Sequence, residues 1–146
     1  MYSLQLTHPF GLLISGGTKT GKITFVKKLL GNVQVMIDLP PENIKYFYSE
    51  YQDTFAEIKS LVPGIEFIEG VPDTIFNSIN PKIRNLYIFD DMMGERNAVI
   101  AKLFTKKLIM VIFVWLTFYR TYFIKAKITA SSFINSVSES RTDSKT

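Results

Sequence analysis

The chain has 146 residues, 47% of them hydrophobic and 21% charged, which excludes a disordered or collagen-like chain and is enough for one globular domain. It contains no cysteine, which excludes a disulfide framework and thiolate metal ligands and is typical of an intracellular protein. The net charge of +4 permits an acidic partner such as nucleic acid, but it is too small and too evenly spread to indicate one.

The predicted elements alternate between strand and helix from the start of the chain. FGLLIS is a short apolar run typical of a strand, and GKITFVKKLLGN has the apolar spacing of a helix that ends at Gly31. NIKYFYS predicts a second strand. The next segment, YQDTFAEIKSLVPG, predicts a second helix that ends at Pro63-Gly64 and whose inward residues are Phe55, Ile58 and Leu61.

The second half of the chain continues this alternation. IEFIEG predicts a third strand, and PDTIFNSI fits a short helix opened by Asp73. NLYIFDDMM predicts a fourth strand, ERNAVIAKLFTKK a further helix, and the apolar run from Met110 a fifth strand. Helices of this length between strands predict an α/β fold, with a mainly parallel sheet of about five strands and helices on both faces. We expect one domain over residues 1–118, with its ligand site at the carboxyl ends of the strands.

Two segments bear on membranes and secretion. The apolar part of LIMVIFVWLTFYRTYFI is about half of the roughly 20 residues that a membrane-spanning helix needs, and Arg120 interrupts its extension. We therefore predict a buried strand there and no membrane partner. The first stretch, MYSLQLTHPF, lacks the basic start and long apolar run of a signal peptide, so we expect an intracellular protein.

The first predicted strand and helix are joined by a glycine-rich loop. Residues 16–22, GGTKTGK, match the phosphate-loop pattern G-x-x-x-x-G-K, between a strand and a helix as that pattern requires. The glycines let successive N–H groups face phosphate oxygens, and Lys22 reaches the β and γ phosphates. The motif predicts a P-loop NTPase that binds ATP through Gly16, Gly17, Thr18, Lys19, Thr20, Gly21, Lys22, Ile23 and Thr24.

The fourth predicted strand ends in two acidic residues. A phosphate loop needs a carboxylate on a nearby strand to hold Mg²⁺ and its water shell, and Asp90 meets that need. Asp91 would then orient or activate the attacking water. The alternative is that the pair caps the following helix, which begins near Gly94-Glu95.

The residue after Lys22 departs from the phosphate-loop pattern. Ile23 stands where a serine or threonine hydroxyl normally contacts Mg²⁺, and isoleucine offers no oxygen. Thr24 is adjacent, but one step along a helix turns the side chain by about 100°, so it should point elsewhere. Nucleotide binding can survive through Lys22 and the backbone amides, whereas hydrolysis should be impaired.

These motifs carry a family resemblance. HPFGLLISGGTKTGKITFVKKLL, PPENIKYFYSEYQ, IEFIEGVPD and NLYIFDDMM with AKLFTKK resemble the P-loop ATPases of Maverick/Polinton-type transposons and related DNA viruses, a group similar to the poxvirus packaging ATPase and the FtsK/HerA-like motors. The resemblance covers residues 8–107. It implies ATP hydrolysis coupled to movement of double-stranded DNA by a ring of subunits. It also implies roles for Lys22 on the phosphates, Asp90 on Mg²⁺ and Asp91 in catalysis, and it fails at Ile23.

The C-terminal part departs from that family. The resemblance implies a strand that ends in a polar sensor residue, commonly Gln or Asn, but VIFVWLTF offers only Thr117. Residues 119–146 show no clean periodicity and end in a Ser/Thr-rich charged stretch, for which we predict a poorly ordered tail. Codons for RTYFIKAKIT can be chosen so that reading one nucleotide earlier gives Q-N-L-F-H-K-G-K-N-N, which resembles the segment expected after the sensor strand. We hypothesise a frameshift upstream of Arg120, which the coding DNA would test.

Further candidates have simple structural alternatives. His8 either flanks a nucleotide base or lies in a surface turn. Arg84 or Arg96 either serves a neighbouring subunit as an arginine finger or is a solvated surface charge. Three tyrosines around the second strand line the nucleotide site, stack on bases or only pack: Tyr46, Tyr48 and Tyr51.

The sequence leaves three functions open. The first is the ATPase domain of a DNA-translocating motor, whose turnover needs Mg²⁺ and Lys22. The second is a small P-loop nucleoside or nucleotide kinase, which needs a lid with several arginines, whereas the four arginines of this chain are scattered. The third is a decayed remnant that binds nucleotide without turnover, which restoring a threonine at Ile23 would not rescue.

Overall fold

A computed structural model describes residues 5–17, 19–92, 97–105 and 109–116 of the chain. Helices and strands follow one another in these ranges as β1 (Gly11–Gly16), α1 (Lys22–Gly31), α2 (Val33–Met36), β2 (Asn43–Tyr48), α3 (Thr54–Leu61), β3 (Glu66–Glu69), β4 (Asn85–Asp90), α4 (Asn97–Thr105) and β5 (Met110–Leu116). The predicted positions of the strands and of the three longer helices are confirmed.

The strands form one sheet in the order β1-β5-β4-β2-β3. All neighbouring strands in this sheet are parallel, and β4 is buried along its whole length. Parallel pairing places the carboxyl ends of β1, β2 and β4 at the same edge of the sheet. The predicted α/β fold with a parallel sheet of five strands is confirmed for the described residues.

The two faces of the sheet carry separate hydrophobic clusters because side chains alternate along each strand. One cluster joins Tyr46 of β2 and Ile88 of β4 to α1, α2 and α3. The other joins Phe47 and Phe89, their neighbours in the same strands, to α4 and to the segment around Ile75. Helices therefore cover both faces, as predicted.

Two local predictions are wrong. Leu61 was expected to face inward, but its side chain is 50% exposed because it is the last residue of α3 and lies beside Gly31 of α1. The predicted helix opened by Asp73 is absent, since residues 73–78 form turns held by bonds such as Asn77 N–H to Thr74 C=O at 2.9 Å. Asn80-Pro81 follows soon after, and a proline disfavours helical geometry in the residue before it.

The segment from Met110 forms the buried strand β5, which confirms the strand prediction for the apolar run. None of the helices in the described ranges has the length and apolar character needed to cross a membrane. Several predictions lie outside the described residues: the tail 119–146 with its frameshift, Gly94-Glu95, and the residues Thr18, Arg96, Thr117, Arg120 and Arg141.

Candidate functional site

Two glycines shape the turn from β1 into α1. A Cβ atom on Gly16 would lie 2.5 Å from Thr20 Oγ1, so any side chain there would displace the threonine hydroxyl. Gly21 caps the amino end of α1 with φ +90°, a left-handed conformation that L side chains rarely adopt. The last glycine of the motif is therefore the residue type that this backbone needs.

Lys22 folds back against its own loop. Its Nζ donates hydrogen bonds to Gly16 C=O at 2.8 Å and to Gly17 C=O at 2.6 Å, and the side chain is half-buried. Thr20 Oγ1 donates to the same Gly17 C=O at 2.8 Å. The ammonium group is therefore held in the turn between strand and helix, where the motif predicts that a phosphate binds.

The first turn of α1 supplies backbone donors rather than a hydroxyl. The first helical bond is Phe25 N–H to Gly21 C=O at 2.9 Å, so the N–H groups of Lys22, Ile23 and Thr24 precede the helical ladder. Such groups at a helix amino end favour an anion. Ile23 is half-buried without an oxygen to offer, and Thr24 is exposed.

Asp90 is a nearly buried carboxylate at the carboxyl end of β4, with 5% of its surface exposed. One oxygen, Oδ2, accepts hydrogen bonds from Tyr46 Oη at 2.9 Å and from Gln52 Nε2 at 3.3 Å. Tyr46 reaches it because its ring lies opposite Ile88, two residues before Asp90 on the same face of the sheet. The carboxylate is thus fixed by two donors from the neighbouring strand and its exit loop.

The electrostatics of Asp90 link it to the glycine-rich loop. Burial raises the pKa of Asp90, the hydrogen bond from Tyr46 lowers it, the charge of Asp91 raises it, and the charge of Lys22 lowers it; the net shift is upward. Burial, with the adjacent Asp90 charge, also raises the pKa of the Tyr46 phenol. The charge of Lys22 thus acts on Asp90 across β5, which lies between β1 and β4 and sets those two strands about 10 Å apart.

Asp91 has a different environment from Asp90. Its side chain is exposed, its φ is +51°, and its N–H bonds to Val114 C=O at 3.1 Å. Aspartate tolerates this left-handed conformation better than most residues. The sharp turn after β4 therefore separates the two carboxylates, with Asp90 inward and Asp91 toward solvent at the edge of the sheet.

The donor groups fit a triphosphate and a shared magnesium ion. No cluster of three or more His, Cys, Asp or Glu side chains within the described ranges could hold a metal alone. Magnesium, however, is usually bound by one or two carboxylates together with substrate phosphates and water. Asp90 and Asp91 offer such carboxylates at the same edge of the sheet as the amino end of α1, so the residue types fit Mg²⁺ bound jointly with a nucleotide.

Two predicted peripheral residues lie far from this edge. His8 precedes β1, a strand of six residues, and is therefore about 20 Å from the loop at the other end of that strand, so it cannot flank a base there. Arg84 precedes β4, where it donates to Pro40 C=O at 2.8 Å and pairs with Glu42 at 3.2 Å. Arg84 therefore links the segment before β2 to the start of β4, at the edge of the sheet where these strands begin.

All three tyrosines around β2 pack against Phe55, and Tyr46 has a polar contact as well. The ring centroids of Tyr46 and Phe55 lie 5.0 Å apart, and the Tyr46 hydroxyl donates a hydrogen bond to Asp90, a contact that the sequence did not predict. Tyr48 and Tyr51 pack around Phe55, with ring centroids 5.1 Å and 5.4 Å from it. The sequence did not single out Gln52. Its position in the loop after β2 could have indicated it, because such loops lie at the ligand edge of a parallel sheet.

Comparisons with protein-family models, with curated proteins and with solved structures found no match to this chain.

Proposed function

We propose that this chain is a P-loop NTPase domain that binds ATP with Mg²⁺ at the carboxyl edge of its sheet. The observation that carries the proposal is the pairing of the glycine-rich loop, with Lys22 held inside it, and the buried Asp90 on a nearby strand. A chance glycine turn would have no reason to occur beside a fixed carboxylate at the ligand edge.

The phosphates would bind to the amino end of α1. The N–H groups that precede the helical ladder would donate to phosphate oxygens, and Lys22 would exchange its bonds to Gly16 and Gly17 for charged acceptors. Hydrogen bonds between two ionised groups are stronger than bonds to neutral carbonyls, so the exchange favours binding.

The two aspartates would have different roles, one toward the metal ion and one toward the attacking water. When bound, Mg²⁺ neutralises charge on the β and γ phosphates. Asp90 would hold the ion or its water shell, and the exposed Asp91 would orient the attacking water. Because Ile23 gives no oxygen, one ligand that usually contacts the ion directly is missing, and we expect slow hydrolysis.

The resemblance to transposon and viral ATPases adds a cellular role to the proposal. It supports an intracellular subunit of a ring that moves double-stranded DNA. Ile23 favours a second candidate, a nucleotide-binding domain without turnover. The two differ in one measurement: Mg²⁺-dependent phosphate release, stimulated by double-stranded DNA, occurs only in the motor. Phosphate transfer to an added nucleoside would instead support a kinase.

Titration with a fluorescent ATP analogue tests the binding proposal. We expect Lys22→Ala to weaken binding at least about tenfold, since a charged contact to phosphate is worth about 1.5–3 kcal/mol. Lys28→Ala is the matched control, because it removes an exposed lysine from the same helix and should leave affinity unchanged. Absence of nucleotide affinity in the unmodified protein, or equal affinity in Lys22→Ala, contradicts the proposal.

Turnover separates the ATPase from the binding domain. Phosphate release is measured for the unmodified protein and for Ile23→Thr, with and without double-stranded DNA. In an ATPase limited only by the missing hydroxyl, Ile23→Thr should raise turnover by at least about tenfold, which corresponds to a barrier lower by about 1.4 kcal/mol. Binding without turnover in both proteins identifies the second candidate.

A further inference from the structure

Two side chains from one segment bind the same oxygen of Asp90. Tyr46 lies in β2, and Gln52 lies in the loop between β2 and α3; both donate to Oδ2. Tyr46 is fully buried and Gln52 is half-buried, so water competes little for these bonds. Together they fix the rotation of the carboxylate, because turning it would break both bonds.

This arrangement leaves the other oxygen of Asp90 for a ligand. No partner of Oδ1 is found in the described part of the chain, whereas Oδ2 has both donors. Since Ile23 lacks an oxygen and Asp91 points to solvent, Asp90 is the side chain best placed to hold Mg²⁺. The orientation of this one carboxylate then decides how strongly the ion is held.

We propose that Tyr46 and Gln52 are positioning residues that present Oδ1 of Asp90 to the magnesium ion of bound ATP, an inference that rests on the proposed function. Through Gln52, the loop of residues 49–53 contacts Asp90, the proposed metal ligand. The loop is anchored to the start of α3, where Gln52 C=O accepts the N–H of Phe55 at 3.0 Å.

A purely structural role predicts a different result. If Tyr46 and Gln52 only satisfy a buried carboxylate, removing either donor lowers stability but leaves the effect of Mg²⁺ on ATP affinity unchanged. If they position the carboxylate, removal weakens the effect of Mg²⁺, since loss of a group that orients a metal ligand typically costs about 10–100-fold in metal affinity.

The test measures affinity for a fluorescent ATP analogue with a chelator and with saturating Mg²⁺, together with the midpoint of thermal unfolding. Tyr46→Phe and Gln52→Met keep side-chain size and remove the donor. Tyr48→Phe and Gln34→Ala are matched controls, the first on the same strand and face, the second on an exposed site of α2. We expect the gain in affinity from Mg²⁺ to fall by about tenfold in both variants and in neither control.

The outcomes separate this inference from the proposed function. Affinity in chelator should be the same in all five proteins, because Lys22 and the backbone bind the phosphates without the ion. A gain from Mg²⁺ that is equal in Tyr46→Phe, Gln52→Met and the unmodified protein overturns the positioning role. ATP affinity that ignores Mg²⁺ in the unmodified protein also overturns it while nucleotide binding stands. No ATP affinity in the unmodified protein overturns both.

Discussion

Asp90 is a residue whose burial conflicts with its proposed function. Its side chain is 5% exposed, and burial raises its pKa above the ordinary value of about 3.9. The folded state thus holds the proton to higher pH than the unfolded state does. This contribution to stability is present below the ordinary pKa and is lost as pH rises through the raised value. Above the raised pKa the ionised carboxylate therefore lowers stability, and we interpret that cost as the consequence of keeping the proposed metal ligand inside the sheet.

Replacing Asp90 with asparagine tests this conflict. We expect Asp90→Asn to unfold at a higher temperature than the unmodified protein at pH 7, and the difference to shrink as the pH is lowered toward 4. Thermal unfolding followed by circular dichroism at both pH values measures it. Asp53→Asn, which removes an exposed carboxylate before α3, controls for the change in net charge. Lower stability of Asp90→Asn at pH 7 would show that the donors Tyr46 and Gln52 outweigh the cost of burial.

At the turn from β1 to α1, backbone conformation and the proposed binding of phosphate depend on the same glycine. Gly21 has φ +90°, and Gly70, after β3, has φ +75°; an added Cβ meets nothing within 4 Å at either site. Gly21→Ala and Gly70→Ala should each lower the free energy of unfolding by about 1 kcal/mol, because left-handed backbone is unfavourable for alanine. Only Gly21→Ala should also weaken ATP binding, because relaxation of its φ turns the first N–H groups of α1. Equal ATP affinities in the two variants would contradict this role of Gly21.

Elements with strong periodicity and clear ends could be predicted from the sequence, and elements too short for a repeating pattern could not. The glycine-rich turn, α1 and β4 follow from glycine spacing and from an apolar run that ends in Asp90. The short helix α2 was missed because its four residues are too few for a repeating pattern. Leu61 fits the spacing of an inward residue, but spacing does not show where a helix leaves the sheet. The contact of Gln52 with Asp90 needs the fold itself, because it joins residues 38 positions apart.

At the scale of the whole molecule, the sequence predicted a parallel sheet and its ligand edge but no strand order. Every strand has an apolar face, so hydrophobicity does not distinguish neighbours. The observed order inserts β5 between β1 and β4, the strands that lead to the loop and to Asp90. The carboxyl end of β5 therefore lies between the two halves of the candidate site, at Leu116 opposite Gly16 and Val114 opposite Asp90. A phosphate held between the loop and Asp90, as proposed, would therefore lie next to the carboxyl end of β5.

The sheet also divides the core into two halves that should contribute independently to stability. Ile58 of α3 and Ile100 of α4 are both fully buried, in clusters on opposite faces. Ile58→Val and Ile100→Val should each lower the free energy of unfolding by about 0.5–1.5 kcal/mol, through the lost methylene group and the small cavity. The double variant should lose the sum within about 0.5 kcal/mol, since the two sites share no cluster. Urea unfolding of the four proteins measures this. A larger departure from additivity would mean that the strands transmit packing changes between the faces.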